Sequence, residues 1–540
     1  MSTDRAARGI GTLPARLAAL TGARRLLVAL GLGALAALAQ APYGLIPLLL
    51  LSLPGLFLLL EGTRAAPRPR RAAFLTGLAY GIGAFGLGLY WIAFAFLVQA
   101  EQFAWMIPIL VPGLVAFLAS YTGLGCLAAV VLWRSRWGAS PGLRALTLAG
   151  TLSLGEFLRG HLFSGFPWNI TSQATAGWLP LAQAGAWVGP YGLSLILIAL
   201  ALLPGVALAG GRRWPWLALV AGVVTLAGAG AARIAVPMTP PTEGSAPPPR
   251  LVVVQPSVPQ RDKLDPALRE ANLARMVDMT EAALARVPDG AASYAIWPEN
   301  AYPFLADVPG IAEGLATRMP GGATLVTGSL TATPRGETYD FGNSVLVFGP
   351  VGEGRAPLSA TYDKHHLVPF GEYLPLSGLI QALGLASLSP VGAGGFTPGE
   401  GPTVLSIGPA PFAPLVCYED VFPHELYPDD QRPDWLVVVT NDAWFGDGAG
   451  PAQHLAIAQM RAIESGLPLA RSANTGISAV IDAHGRILDS LPLYTPGVIE
   501  TALPPALPRT LYDRLGDALF WLLLAGVVGA PWVSGLARRG

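Results

Sequence analysis

The first 235 residues alternate between long apolar runs and short arginine-bearing breaks, a spacing that predicts membrane-spanning helices of roughly 20 residues each. Leu26 to Leu60 carries no charge and is interrupted by Pro42-Tyr43-Gly44, so it divides into two helices joined by a tight turn. Further spans are expected over Ala73–Val98, Phe103–Leu132, Ala145–Leu158, Tyr191–Gly210, Trp214–Ala232 and, after a long polar stretch, Ala518–Ala537. About eight helices result. The fifth is the shortest and closes on the charged residues Glu156 and Arg159.

Past Ala235 the pattern changes. Val236 to Pro249 is rich in proline and reads as a linker. Short β-branched or apolar runs then alternate with helical stretches. The runs are Leu251–Val254, Tyr294–Ile296, Thr324–Thr327, Ser344–Phe348, Pro414–Val416, Trp435–Val439 and Ile477–Ile481, and helical periodicity marks Leu268–Arg286 and His454–Gly466. Strands alternating with helices predict a layered α/β domain. The expected organisation is a membrane domain over 1–235 with spans one to seven, a linker over 236–249, a polar domain over 250–510 and an eighth span within 511–540.

Composition agrees with a membrane protein. The chain is 52% hydrophobic and 13% charged, too apolar for an ordinary soluble protein of this length. All but six of its 34 acidic residues lie between Arg250 and Arg514, and the formal net charge is zero, so nothing calls for a nucleic-acid partner. Arginines cluster at Arg16/Arg24/Arg25, Arg64/Arg68/Arg70/Arg71, Arg134/Arg136/Arg144, Arg212/Arg213 and Arg538/Arg539. Every second loop is basic, which by the positive-inside rule puts both termini in the cytoplasm and the polar domain outside it. The first apolar segment also reads as a cleavable signal peptide ending near Ala37-Leu38-Ala39. Its removal would not change the side on which the polar domain lies.

Candidate chemistry gathers in the polar domain. Cys417 ends the apolar run Pro414-Leu415-Val416, just before Tyr418-Glu419-Asp420, as a strand would deliver a nucleophile to a sharp turn. The other cysteine, Cys126, lies inside an apolar run, so no disulfide is expected. Lys263 and Lys364 are the only lysines among 34 basic residues. Lys364, in Tyr362-Asp363-Lys364-His365-His366, supplies a compact cation that lowers a thiol pKa and stabilises an oxyanion. Glu299, after Ile296-Trp297-Pro298, supplies a base. Taken singly, each has a bland reading: a packed thiol, a solvated ammonium, a turn carboxylate. As an ordered set, each at the end of an expected strand, they describe acyl transfer through a thioester. His365 and His366 would point to opposite faces of a strand, and no His or Cys pair has zinc-like spacing. Neither a metal nor a cofactor is expected.

The set Glu299, Lys364, Cys417 resembles the nitrilase superfamily, which implies a four-layer αββα sandwich. Tyr362–Pro375 (YDKHHLVPFGEYLP), Val416–Asp420 (VCYED), Thr440–Gly446 (TNDAWFG) and Arg471–Gly476 (RSANTG), with Glu156–Gly160 (EFLRG) and Gly165–Trp168 (GFPW), resemble one branch of it, the apolipoprotein N-acyltransferases. The resemblance implies Glu299 as general base, Lys364 as oxyanion-stabilising lysine and Cys417 as nucleophile. It adds Glu372 as a second glutamate positioning the lysine, Tyr418 and Glu419 as required neighbours of the nucleophile, and the Tyr418 N–H as an oxyanion donor. It further implies a phospholipid acyl donor, a diacylglyceryl-cysteine apolipoprotein acceptor, and a multi-pass monomer in the bacterial inner membrane with a periplasmic catalytic domain. Where the family often has tryptophan, this chain has Leu264. Glu156 is expected to take a polar partner such as Arg159. Two rivals remain: a membrane-anchored nitrilase-type amidase that hydrolyses a C–N bond, and a transporter or scaffold with an inactive outer domain.

Overall fold

Among the described residues, eight long helices form where the apolar runs predict them: Gly22–Ala37, Leu49–Thr63, Pro69–Gly88, Ile107–Leu132, Pro141–His161, Gly185–Gly210, Trp214–Ala235 and Ala518–Leu536. The computed structural model of the chain describes residues 13–238, 247–288, 290–304, 314–315, 318, 323–336, 338–349, 358–375 and 395–536. These fall into two units. One holds the chain up to Tyr90, Met106–Ala232 and the segment from Leu515 onward; the other holds Trp91–Trp105 with Arg233–Arg514.

In the helical unit, Ile46–Thr63, Ala100–Leu132, Gly185–Gly210 and Trp214–Ala235 are long and apolar enough to cross a membrane by length and composition. The other helices are shorter or carry more glycine and charge. Close approach explains the glycines. A Cβ at Gly33 would lie 1.8 Å from the Tyr80 carbonyl, and one at Gly83 would lie 2.0 Å from the Leu30 carbonyl, so helices Gly22–Ala37 and Pro69–Gly88 touch backbone to backbone. Larger apolar side chains, among them Leu56, Phe57, Leu59, Leu148 and Leu202, fill the core of this unit.

Several expected boundaries shift. The third span does not run to Val98: its helix stops at Gly88, and a separate short helix, Ile92–Leu97, follows. The physical reason lies in the second unit, where Trp91 and Phe94 find aromatic and polar partners. The fourth helix starts at Ile107, with Pro108 in its first turn. The sixth starts earlier than expected, at Gly185, and breaks at Gly189 (φ 70°) ahead of Pro190. The fifth is a full helix from Pro141, capped by Ser140, whose Oγ accepts the Leu143 N–H at 3.2 Å. Within it, Glu156 accepts from the Thr171 N–H and hydroxyl, while Arg159 donates to the Phe166 and Trp168 carbonyls.

The second unit contains eleven strands among the described residues: β1 (Arg250–Gln255), β2 (Ser293–Ile296), β3 (Thr324–Arg335), β4 (Thr338–Phe348), β5 (Leu358–Asp363), β6 (Phe412–Val416), β7 (Trp435–Thr440), β8 (Leu469–Ala473), β9 (Ser478–Ile481), β10 (Ile487–Leu491) and β11 (Gly497–Ala502). They form a six-stranded sheet in the order β11-β1-β2-β3-β4-β5 and a five-stranded sheet in the order β10-β9-β8-β7-β6. The β1-β2-β3 and β6-β7-β8 segments are parallel.

Alternation along the strands builds four layers. Leu251 and Val253 of β1 meet Phe412, Val437 and Val439 between the sheets. Val252 and Val254 face away, onto Met276, Val277 and Leu284 of helix Arg269–Leu284. On the other side Leu415, Leu436 and Val438 pack under Ala458 and Ala462 of helix Gly450–Ser465. The αββα sandwich expected from the resemblance is therefore the observed architecture.

Residues 91–105 complete this unit at the start of helix Gly450–Ser465. Trp91 Nε1 donates to Gln453 Oε1 at 3.0 Å, and its ring meets Phe445 edge-on at 4.5 Å. A Cβ on Gly450 would come within 2.8 Å of the Trp91 ring, and one on Gly446 within 2.7 Å of Phe94. Truncating a buried tryptophan costs about 3–5 kcal/mol. The Trp91→Ala variant is therefore expected to lower the thermal midpoint of the detergent-purified chain, with Trp91→Phe intermediate. An unchanged midpoint for the alanine variant would show that this segment contributes nothing to the unit.

Candidate active site

Parallel strands leave their carboxyl ends open to a ligand, and the expected residues stand there. Glu299 follows β2, Lys364 follows β5 and Cys417 follows β6. Glu299, Lys364 and Glu372 are buried, Lys364 to 1% exposure. Cys417 adopts φ 51°, a left-handed conformation that costs a non-glycine residue about 1–3 kcal/mol and persists only where its surroundings enforce it. Gly328 on β3 is equally constrained: a Cβ there would lie 2.4 Å from the Glu299 Cα. Only glycine lets β3 pass directly behind the glutamate.

A single amide joins the two acids. Asn343 Nδ2 donates to Glu299 Oε1 at 2.7 Å and to Glu372 Oε1 at 2.8 Å. Lys364 Nζ donates to Glu372, 2.9 Å from Oε1 and 2.8 Å from Oε2. The Val368 N–H also donates to Glu372 Oε2, at 2.8 Å, so Glu372 holds the lysine from a fixed position. The Lys364 N–H in turn donates to the Asn343 carbonyl at 2.8 Å. The site thus brings together all three candidate catalytic residues and Glu372.

Burial and neighbouring charge set the protons. Burial alone would lower the Lys364 pKa, but Glu372, Cys417 and Glu299 outweigh it and keep the ammonium charged. Burial raises the Glu299 carboxyl, with Lys364 pulling it back. Burial, then the charge of Glu299, pushes the Cys417 thiol well above its ordinary value, against the pull of Lys364. Burial and the Glu299 charge thus favour the thiol form of Cys417, with the Lys364 charge opposing them.

Glu419 governs the nucleophile turn. Fully buried, it accepts from the Val416 N–H at 2.8 Å, the Tyr362 hydroxyl at 2.8 Å, and the N–H groups of His365 at 2.8 Å and His366 at 3.2 Å. Burial would raise this carboxyl; the His365 hydrogen bond and charge hold it below its ordinary value. Tyr418 is buried against the rings of His366 and Phe422.

The histidine expectation needs correction. His365 and His366 lie past the end of β5, in a loop, and converge on one carboxylate: His365 Nε2 is 3.4 Å and His366 Nδ1 2.7 Å from Glu425 Oε2. The opposite-face rule holds only within a strand.

Sequence reasoning assigned no role to two groups of residues. Asn343 was hidden in a strand, just before the apolar run Val345–Phe348, among the polar neighbours Asp340 and Ser344. The second group is a buried quartet under the nucleophile turn. His454 lies 2.8 Å from Asp420 Oδ1 and 2.9 Å from Asp442 Oδ1, while Arg471 lies 2.6 Å from Asp442 Oδ2 and 3.4 Å from Asp420 Oδ2. Two carboxylates balance two cations, so the cluster is neutral when His454 is protonated, as its raised pKa favours. Three of its members lie in segments the resemblance singled out, VCYED, TNDAWFG and RSANTG. The Leu264 side chain lies outside the described residues.

Residues 252–511 match the carbon-nitrogen hydrolase family, and residues 32–203 match the apolipoprotein N-acyltransferase N-terminal domain. The chain is thus a nitrilase-superfamily enzyme joined to an apolar helical domain. It belongs to the apolipoprotein N-acyltransferase family. Relatives of that name include those of Rhodopseudomonas palustris (38% identical over 521 residues, 94% of each chain), Bradyrhizobium diazoefficiens (40% over 518 residues, 93% of this chain and 94% of the relative) and Caulobacter vibrioides (39% over 516 residues, 93% and 94%). Among solved structures, an amidase of the nitrilase superfamily from Nesterenkonia is similar at 22% identity and TM-score 0.34, over 52% of this chain and 97% of the amidase.

The His365 environment predicts a pH effect. Burial alone would lower its pKa, but Glu419 and Glu425 raise it to about 9, above the ordinary histidine value of about 6.5. Stability from this proton is fully present below the unfolded value and is lost as pH rises through about 9. The thermal midpoint should therefore fall between about pH 7 and about pH 9.5, and His365→Gln should flatten that slope. A pH slope that His365→Gln leaves unchanged would mean that His365 holds no proton.

Proposed function

We propose that this chain transfers a fatty acyl group from a membrane phospholipid to the free α-amino group of a lipoprotein's N-terminal diacylglyceryl-cysteine. One observation carries the reading: relatives named apolipoprotein N-acyltransferase align with more than nine-tenths of the chain, and within that alignment stands a buried Glu299–Asn343–Glu372–Lys364 network beside Cys417.

In the first half-reaction, Glu299 takes the Cys417 proton as the sulfur attacks the ester carbonyl of the donor. Lys364 Nζ and the Tyr418 N–H stabilise the oxyanion. Collapse breaks the ester C–O bond, the departing oxygen takes the proton from Glu299, and a lysophospholipid leaves a thioester on Cys417. In the second, the lipoprotein amine attacks that thioester and Glu299 accepts its proton. The amide forms as the sulfur is expelled, and the proton returns to it. Glu372 positions Lys364, and Glu419 positions Cys417.

Both substrates are lipid-anchored, so an enzyme built into the membrane meets them where they reside. We place this enzyme in the bacterial inner membrane as a monomer, and the arginine pattern supports the orientation in which residues 250–510 form a periplasmic catalytic domain. No metal or cofactor enters the reaction as written.

Intact-mass measurement after incubation with phospholipid vesicles tests the chemistry. The parent should gain one fatty-acyl mass, and Cys417→Ala and Glu299→Gln should gain none. Release of free fatty acid without a retained adduct in the parent would instead identify a hydrolase. No adduct and no release would remove Cys417 as nucleophile.

Topology is a separate test. A reporter fused after Pro249 should read periplasmic, and one after Gly540 cytoplasmic. The opposite result at either point would mean a miscounted span.

A further inference from the structure

Lys263 is the other lysine of a chain that otherwise uses arginine. It sits on the short helix Gln260–Leu264, 36 residues before the proposed base, yet its Nζ donates to the Glu299 main-chain carbonyl at 2.9 Å. That carbonyl lies beyond the end of β2, outside the sheet ladder, where a buried acceptor still requires a donor. The next residue, Asn300, has φ 49°, so the backbone turns away immediately after the base. On its other side the Glu299 N–H points to the Thr440 carbonyl at 3.4 Å. The peptide groups flanking the glutamate are therefore held from two directions, one of them by an ammonium.

The segment bearing Lys263 is itself fastened to the strand ends. The Val258 N–H donates to Asn474 Oδ1 at 3.0 Å, and Asn474 Nδ2 donates back to the Val258 carbonyl at 2.7 Å. Asn441 Nδ2 donates to Gln260 Oε1 at 2.8 Å, and to complete the chain Asn474 Nδ2 also reaches Asn441 Oδ1 at 3.1 Å. Thus the loops after β7 and β8 fix the 258–263 segment, and that segment fixes Glu299.

We infer that Lys263 is a positioning residue for the general base: it clamps the Glu299 peptide and places a second positive charge beside the carboxylate. The inference rests on the assignment of Glu299 as base. Arginine, which serves elsewhere in this chain, presents a planar fork rather than a point charge, and a lone carbonyl matches the ammonium better. The charged groups facing Glu299 are Lys364, Glu372, Lys263 and the Cys417 thiol; on the Lys263 helix, Arg261 and Asp262 pair with each other. Burial lowers Lys263 to about 8, with the Glu299 charge pulling it upward, so the ammonium is charged through the neutral range and loses its proton above it. While charged, it favours ionised Glu299 and extends the working range of the base toward acid.

The test compares parent, Lys263→Met and Lys263→Arg in two assays across pH: acyl-enzyme formation from phospholipid, and alkylation of Cys417 by iodoacetamide, located by peptide mass. Each rate rises from acid as the Glu299–Cys417 pair loses its first proton. Lys263→Met should slow acylation about tenfold and move the midpoint of that rise up by about one pH unit in both assays. Lys263→Arg should keep the parental midpoint while remaining slower than the parent. A methionine variant with parental rate and midpoint would overturn the inference. So would equal slowing of both variants with no shift of midpoint, which is what lost packing alone produces. If the parent forms no acyl-enzyme, the proposed function fails, and the alkylation profile still decides the role of Lys263.

Discussion

A single buried ammonium organises this site. Taking a lysine to 1% exposure costs several kcal/mol of desolvation unless an opposite charge and hydrogen bonds replace the lost water. Here Glu372 lies within 2.9 Å of Lys364 Nζ through both carboxylate oxygens. Glu372 is in turn held by the Asn343 amide and the Val368 N–H. Asn343 serves twice more, with its carbonyl on the Lys364 backbone and its amide on Glu299. Removing any member leaves a buried charge or polar group unmatched, so Glu299, Asn343, Glu372 and Lys364 form one unit.

The same short segment also joins the two sheets. Lys364 to Val368 leaves β5 of the six-stranded sheet, and two buried carboxylates grip it. Glu372 takes the Val368 N–H, while Glu419, from the turn after β6 of the five-stranded sheet, takes the N–H groups of His365 and His366. Glu419 also holds the Val416 N–H directly before the nucleophile. The distance between the lysine and the cysteine therefore does not rest on the apolar face between the sheets alone. That face sets the layers, and the carboxylates set the register of the reacting groups.

This division explains what could be read in advance. The seven strands expected from the sequence are apolar because they face other layers on one or both sides, and all seven form. Four others went unrecognised. In β5 (LSATYD) and β10 (ILDSL) most residues are exposed or half-buried, so no apolar run marks them. In β11 (GVIETA) only Ile499 is buried. In β8 (LARSA) every residue is buried, yet Arg471 and Ser472 are polar: the arginine meets Asp442, and the serine hydroxyl donates to Val254 across the sandwich. Hydropathy registers water avoidance and misses polar groups that find their partners inside. For the same reason Glu299 and Cys417 were legible at the ends of apolar runs and Lys364 by the scarcity of lysine in the chain, while Asn343, whose partners come from three separate segments, was not.

The order of proton affinities gives the site a further property. A thiolate held ready by a resting cation would be open to oxidants and to any passing electrophile. Here burial and the Glu299 charge keep the proton on Cys417, against Lys364. The nearby Lys364 ammonium is already engaged by Glu372. Thiol and ammonium are thus both restrained by their neighbours, and in the proposed reaction the cost of separating the thiol proton is offset by the bond that the sulfur then makes. In the reaction proposed above, a carboxylate poised by burial, rather than a permanently ionised sulfur, is what would let Glu299 serve a departing alkoxide in the first step and an arriving amine in the second.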